Sequence, residues 1–370
     1  MGSATVLEHF ALPGVDGHPA VVAAARIAAD LLVPHAATAD DAAHGVDPAH
    51  LDVLAEAGLL STRVPVAEGG HGADESVDAA VVEQVAGACG ATWFLTTQHR
   101  VPQALSRGPL PGLDGYRAGP AADRYRARLS AATTRAGIAI AHVRRPGPPA
   151  VRAEPAGTGW TFHGAADWCT GWGLLDVVMI AATTADDRFV LALLPARERP
   201  GLRAGAPLPL AVMGGTRTVA LELDGLTVDA DDVLAVIDAV AWRAHDAART
   251  ANATPASFGL LRAMLVALAD LGASRPEALD AALDLAPRAA ALRREAYGST
   301  APVAERTAVR AAVTELVVRG AHTLVAARSG SALLRTSPEQ RWAREAAFHL
   351  IQAQTAGVRV AQLRAFTGRA

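Results

Sequence analysis

Apolar residues recur every three to four positions in AVVAAARIAADLLV, HLDVLAEAGLL and ESVDAAVVEQVAGA, which predicts amphipathic helices through residues 20–107. The segment PVAEGGHGAD (65–74) separates two of them, and GPLPGLDGYRAGP (108–120) breaks the pattern with glycine and proline. From about residue 137 the period shortens. GIAIAHV, GWTFHG, VVMIAATT, FVLALLP and TVALELDGLTV are short, apolar or β-branched, and separated by turn residues, as strands are. After DADDVLAV the helical period returns and runs to the end, through LLRAMLVALADLG, AERTAVRAAVTELVVRGAHTLVAAR and PEQRWAREAAFHLIQAQTAG. The abundant alanine there suits close helix packing. The pattern predicts an α+β multidomain chain: an N-terminal α-helical domain over 1–135, a middle β domain of sandwich or barrel type over 136–235, and a C-terminal α-helical bundle over 236–370.

Composition narrows the function classes. With 370 residues, 51% hydrophobic and 19% charged, the chain reads as a soluble globular protein with a large core. A net charge of −3 and scattered arginines give no reason to expect nucleic acid or an anionic membrane as partner. Two cysteines, Cys89 and Cys169, are too few for a disulfide framework and fit a reducing cytoplasm. The start MGSATVLEHF has no signal-peptide pattern, and no uncharged apolar run reaches about 18 residues, so no membrane span is expected. No histidine, cysteine or carboxylate spacing predicts a metal site, and no nucleophile-elbow or phosphate-loop pattern occurs.

The stretch ADWCTGWG (166–173) places two tryptophans close together in a chain that is 4% aromatic. In an extended backbone Trp168 and Thr170 share one face and Cys169 points to the other. A flat indole beside a hydroxyl suits a planar heteroaromatic ligand, and Gly171 and Gly173 permit close backbone approach or a tight turn. The plainer alternative is a strand end with a packed tryptophan.

The helical–β–helical order and three motifs resemble the acyl-CoA dehydrogenase superfamily of flavoproteins. Residues 65–72 (PVAEGGHG) resemble its Pro-x-x-x-Gly-Gly-x-Gly loop. Residues 213–234 (MGGTRTVALELDGLTVDADDVL) resemble its Met-Gly-x-x-x-Thr strand and the exit from the β domain, and Trp168–Cys169–Thr170 resembles its Trp-x-Thr. The resemblance implies FAD as cofactor, with FMN or a transiently bound reduced flavin as alternatives. Trp168 would lie against the flavin, and the Thr170 hydroxyl would meet its reactive nitrogen, with Cys169 between them. Gly330 is what remains of a Gln-x-x-Gly-Gly element over 326–330. The implied partners are a small-molecule substrate, an acyl-CoA or acyl-carrier-protein thioester, and further copies of the chain joined through the C-terminal bundle.

Departures from the family bear on mechanism. Its dehydrogenases abstract a proton α to the thioester with a glutamate, and counting from Arg344–Glu345–Ala346 puts that position at Ala353. Some members carry the base on an earlier helix, around Arg249 or Thr250 here. None of these residues is an acid. HVRRPGPPAV (142–151) stands where a Thr-Glu-Pro-Gly-x-Gly-Ser-Asp segment is expected, and the Arg-x-x-Phe-Gly element is deleted between Leu271 and Ala281. His349 lies one turn from both Glu345 and Ala353, so the three are expected on one helix face. The superfamily's reduced-flavin monooxygenases lack the glutamate and often carry histidine in this helix. His349 is therefore the candidate acid–base residue, against the alternative of a core histidine satisfied by Glu345 or a carbonyl. His99, His142 and His163 are expected to be structural. Three functions stay open: an acyl thioester dehydrogenase, a flavin monooxygenase and a non-catalytic relative.

Overall fold

The structure is a computed structural model and describes residues 2–368. The N-terminal part holds α1 (Gly2–Glu8), α2 (Pro19–Ile27), α3 (Val33–Asp40), α4 (Pro48–Glu56), α5 (Glu75–Ala88), α6 (Gly90–Ser106) and α7 (Pro120–Ser130). Their starts are set by local chemistry. Asp47 and Asp74 cap α4 and α5 by accepting from Ala49 and Val77, and prolines open α2, α4 and α7, where no N–H is needed. The apolar run at 20–33 does not form one regular helix. A π-helical turn, Ala28–Leu32, links α2 to α3. Pro34 has no N–H to give to the carbonyl four residues back, and the hydrogen-bond ladder widens there.

The middle of the chain forms one sheet from β1 (Arg117–Ala118), β2 (Ala136–Ala139), β3 (Val151–Ala156), β4 (Gly159–Cys169), β5 (Val177–Thr183), β6 (Arg188–Pro195), β7 (Leu202–Ala204), β8 (Val219–Val228) and β9 (Val233–Asp238). Its order is β1-β9-β6-β5-β3-β4-β8-β7, with β2 parallel to β5 off that path. One apolar cluster contains Phe162, Ile180, Leu194 and Leu221; a second, with Met179, Phe189 and Leu193, packs against Tyr125, Leu129 and Trp242 of the helices. β5 is buried on both faces, which is why it reads as an unbroken apolar run. β1 falls in a segment expected to be loop, and it closes the β9 edge. The GIAIAHV strand stops at Ala139 and turns tightly through Ala141–Arg144, which carries Arg144 toward the C-terminal helices.

Those helices are α8 (Ala239–Thr250), α9 (Pro255–Leu271), α10 (Pro276–Ala296), α11 (Val303–Arg328), α12 (Pro338–Ile351) and α13 (Ala356–Thr367). Phe258, Leu261, Leu265, Leu316 and Val317 fill their core. The bundle is joined to the N-terminal helices where α9 crosses α5. A Cβ on Gly259 would stand 2.2 Å from the Glu83 carbonyl, so only glycine allows the backbones to touch. Beside the crossing, buried Glu83 accepts from Arg293 at 2.7 and 2.8 Å and from Tyr297.

Two helical stretches, Pro19–Asp40 and Ala239–Leu271, are long and apolar enough to cross a membrane by length and composition, contrary to the expectation of no span, because each tolerates a charged residue or two within its apolar window. Here their apolar windows are 39% and 56% buried within the protein, and a break between α8 and α9 interrupts the second. Cys89 and Cys169 are both free and buried.

Candidate functional site

β4 ends in a bulge against β8, where the pairing slips between Ala166 and Cys169. The slip separates three neighbours. Trp168 is 44% exposed, while the other five tryptophans are buried or half-buried. Cys169 points into the sheet core, where burial pushes its thiol up to about 12. Its side chain therefore faces away from the Trp168 side, and any contact it makes with a ligand there is through its backbone. Thr170 is buried, with its Oγ1 3.0 Å from that of Thr218. Gly171 follows with φ +87°, and its N–H donates to the Thr216 carbonyl at 2.9 Å. A side chain at Gly171 would run into Leu175, so the turn demands glycine twice over.

The turn Gly214–Thr216 supports this strand end from below. Met213 and Arg217, on either side of it, both adopt left-handed backbone. The Met213 N–H donates to Asp40 Oδ1 at 2.5 Å, and Asp40 also accepts from Arg344 on α12. Next to this contact Arg341 and Glu345 form a buried pair at 2.8 Å. Gly90 makes room for it, since a Cβ there would meet both Glu345 and Met213. A polar path thus runs from Thr170 through Thr218 and Thr216 to Met213, Asp40 and α12.

A second path crosses on the other side. Asp167, next to Trp168, pairs with Arg145. Arg144 grips Asp246 of α8 with two hydrogen bonds, at 2.6 and 2.8 Å, and Arg249 reaches the same carboxylate at 3.3 Å. Burial presses the Asp246 carboxyl upward, but the hydrogen bonds and charge of Arg144 and Arg249 outweigh it and hold it below the usual range. His142, on the same turn as Arg144, gives its Nε2 to the Ala181 carbonyl, and its Nδ1 has no partner among the described residues.

Arg310 of α11 completes this side. It is 4% exposed and donates to the carbonyls of Thr250, at the end of α8, and of Gln352 (2.5 Å), at the end of α12. No carboxylate lies among its hydrogen-bond partners in the described residues. Burial, with Arg144 and Arg249 near by, lowers it to about 10. Each helix C-terminus carries roughly half a negative charge, so two of them together offset one guanidinium. Both positions at which the family's base is expected, Ala353 and the Arg249–Thr250 pair, are thereby flanked by a cation.

The α12 residues separate as well. Glu345 and His349 share a helix face, but Ala353 does not: α12 ends at Ile351, and Ala353 sits in the following turn with φ +48°. The helix stops because its last carbonyls find side-chain donors, Leu350 with Gln354 (3.1 Å) and Gln352 with Arg310. Glu345 is paired with Arg341 and not with His349. His349 is stacked on Trp93 (5.3 Å between ring centres, 13° between planes), and its Nδ1 lies 3.0 Å from Ser257 Oγ. Burial, and to a lesser degree Arg310, lowers it to about 3, so it is neutral at physiological pH. Gly330 stands apart on an exposed turn beyond α11, next to the start of α12, where Arg328 pairs with Glu339. His349 is about 16 Å further along that helix.

The motifs named Trp168 and Thr170, which lie at the end of β4, and did not point to Arg310, the Arg144–Asp246 grip or Thr216–Thr218. Each had a signal. Arg310 is a charge on an otherwise small or apolar stripe with Thr307, Ala311, Thr314 and Val317, and Thr216 and Thr218 alternate across one arginine.

Residues 20–106 match the family described as Acyl-CoA dehydrogenase, N-terminal domain. No curated protein matches the chain. Among solved structures it is similar to a glutaryl-CoA dehydrogenase from Mycobacterium smegmatis, with TM-score 0.73 and 16% identity over 99% of this chain and 98% of that one. A glutaryl-CoA dehydrogenase from the same organism in complex with FADH2 gives 0.70 and 15%, over 95% and 94%. A dibenzothiophene monooxygenase from Paenibacillus sp. A11-2 gives 0.68 and 18%, over 95% and 97%. The chain has the acyl-CoA dehydrogenase fold, and the likeness to that superfamily holds in its N-terminal segment and in its architecture.

Two predictions test the electrostatics. Arg310→Met should lower stability by about 2–4 kcal/mol, because two buried carbonyls lose a charged donor. Amide exchange should accelerate mainly at 251–254 and 352–355; an unchanged urea midpoint and unchanged exchange would contradict the clamp. The second concerns His349. Below pH 6.5 the unfolded chain takes up a proton that the folded chain refuses until about pH 3. Stability should therefore fall by roughly 1.4 kcal/mol per pH unit on acidification through that window. His349→Gln should flatten this part of the profile, and an identical profile would show that the histidine is not held neutral.

Proposed function

We propose that the chain is a flavin-dependent oxidoreductase that works from reduced flavin and does not use a carboxylate to abstract a proton α to a thioester. The observation that carries this reading is Arg310, which sets a cation beside both positions where such a carboxylate would act. General-base catalysis needs an acceptor within reach of the proton, and the residues there are Ala353, Arg249 and Thr250.

The residues at the end of β4 suit a flavin ring. Trp168 offers the one exposed indole among the described residues, and Thr170, two residues on, lies in a buried polar setting. FAD is the proposed cofactor, and one structural relative is described with FADH2. When bound, the flavin supplies the two-electron chemistry. In this reading Trp168 orients the ring and Thr170 binds its reactive nitrogen, while Arg310 keeps a cation beside Thr250 and Gln352. His349, stacked and neutral, holds α12 in place. The exposed position of Gly330 assigns it at most a peripheral contact with the dinucleotide.

The substrate proposed is a small molecule, an acyl-CoA or acyl-carrier-protein thioester by family likeness. Val360, Leu363 and Phe366 are exposed on α13 and suit a homo-oligomer formed through the bundle. The two buried free thiols suit a cytoplasmic location. A dehydrogenase with its base recruited from elsewhere is the second reading, favoured by the fold's likeness to glutaryl-CoA dehydrogenase.

The test is spectroscopic. Reconstitution with FAD should perturb the flavin spectrum and quench tryptophan emission, and Thr170→Val should alter binding by about 0.5–1.5 kcal/mol. Acyl-CoA added without oxygen should leave the flavin oxidised, whereas a flavin reductase and NADH should give protein-dependent oxygen uptake. Bleaching by acyl-CoA would overturn the reading in favour of a dehydrogenase.

A further inference from the structure

Three buried threonine hydroxyls form a chain that ends on a backbone carbonyl. Thr216 Oγ1 donates to the Met213 carbonyl at 2.8 Å, Thr218 Oγ1 lies 3.0 Å from Thr216 Oγ1, and Thr170 Oγ1 lies 3.0 Å from Thr218 Oγ1. Each hydroxyl has a single proton, and a carbonyl can only accept. With the Thr216 proton committed to the carbonyl, the next contact requires the Thr218 proton, and the last requires that of Thr170. All three protons point from the strand end toward Met213. Thr170 Oγ1 is left with lone pairs alone.

The far end of the chain is held firmly. Met213 is anchored by Asp40, the Thr216 carbonyl accepts from Gly171, and the Arg217 carbonyl accepts from Trp172 at 3.2 Å. All three threonines are buried, so water does not compete for their protons. Reversing the chain would turn the Thr216 hydroxyl away from the Met213 carbonyl, leaving that carbonyl only the Thr216 N–H at 3.1 Å, at about the cost of one hydrogen bond.

Oxidised and reduced flavins differ at the nitrogen that accepts hydride. The oxidised ring presents a bare nitrogen that needs a donor, while the two-electron-reduced ring presents N–H, which needs an acceptor. We infer that Thr216 and Thr218 make Thr170 an acceptor and thereby select reduced over oxidised flavin at the end of β4. This rests on the flavin reading of the site. Thr216 and Thr218 are positioning residues: among the described residues their hydroxyls bond to each other, to Thr170 and to the Met213 carbonyl, and they act by orienting one proton.

The experiment is an anaerobic calorimetric titration of the full-length protein with FAD and with dithionite-reduced FAD. Reduced FAD should bind more tightly. In Thr218→Val, which keeps the shape but frees the Thr170 proton, the ratio of the two affinities should fall severalfold to about tenfold. Tenfold corresponds to a potential lowered by about 30 mV for a two-electron couple. Thr218→Ser keeps the hydroxyl and should retain the original ratio. Tighter binding of oxidised FAD by the unmodified protein, or the same ratio in Thr218→Val, would overturn the inference while leaving a flavin site intact. Binding of neither form would remove the flavin reading, and the inference with it.

Discussion

A single guanidinium, that of Arg310, binds the ends of two helices that share no other such tie among the described residues. It lies buried on α11 with the C-terminal carbonyls of α8 and α12 as its hydrogen-bond partners, where a carboxylate would be the ordinary counter-charge. The arrangement is physically sound because two helix C-termini present about one negative charge between them, already oriented and partly desolvated. Its consequences spread outward. α12 stops where its carbonyl meets Arg310, so Ala353 falls into a left-handed turn and not onto the helix face. The field of Arg310 also helps keep His349 unprotonated, and Asp246 is left to be divided between Arg144 and Arg249.

The other half of the site depends on backbone more than on charge. The bulge in β4 sends Trp168 outward and Cys169 inward, and the turn at Met213 fixes the acceptor on which the threonine chain ends. Asp40 links this turn to Arg344, so the strand end and α12 are held by one carboxylate. Strain at Met213 and Arg217, each at positive φ, is tolerated because hydrogen bonds on both sides over-determine the turn.

Much of this was legible in the sequence. The change of apolar period near residue 137 and its return after Val236 marked the helical–β–helical order, because burial on one face imposes period 3.6 in helices and 2 in strands. The outward Trp168 and inward Cys169 were legible because alternation in an extended strand is local geometry; Thr170 lies in the turn that follows and is buried. The faces of α12 were not, since its end is determined by Arg310, over forty residues earlier in the chain. The partner of His349 was likewise misjudged as Glu345: helical spacing allowed that pair, but Arg341 on the same helix takes the carboxylate, and Ser257 from α9 meets the ring. Short two-residue pairing such as β1 with β9 carries no periodic signal and is found only once the sheet edge is known.

A cation, Arg310, stands beside the position where a carboxylate base is expected, and putting that carboxylate back tests its effect most directly. Ala353→Glu, loaded with FAD and mixed without oxygen with a series of acyl-CoA thioesters, should show no flavin reduction beyond that of the unmodified protein, because Arg310 would hold the new carboxylate as an ion pair and weaken it as a base. Appearance of acyl-CoA-dependent bleaching, at the roughly 10²–10⁴-fold gain that a well-placed general base supplies, would contradict the account and show a dehydrogenase site lacking only its acid.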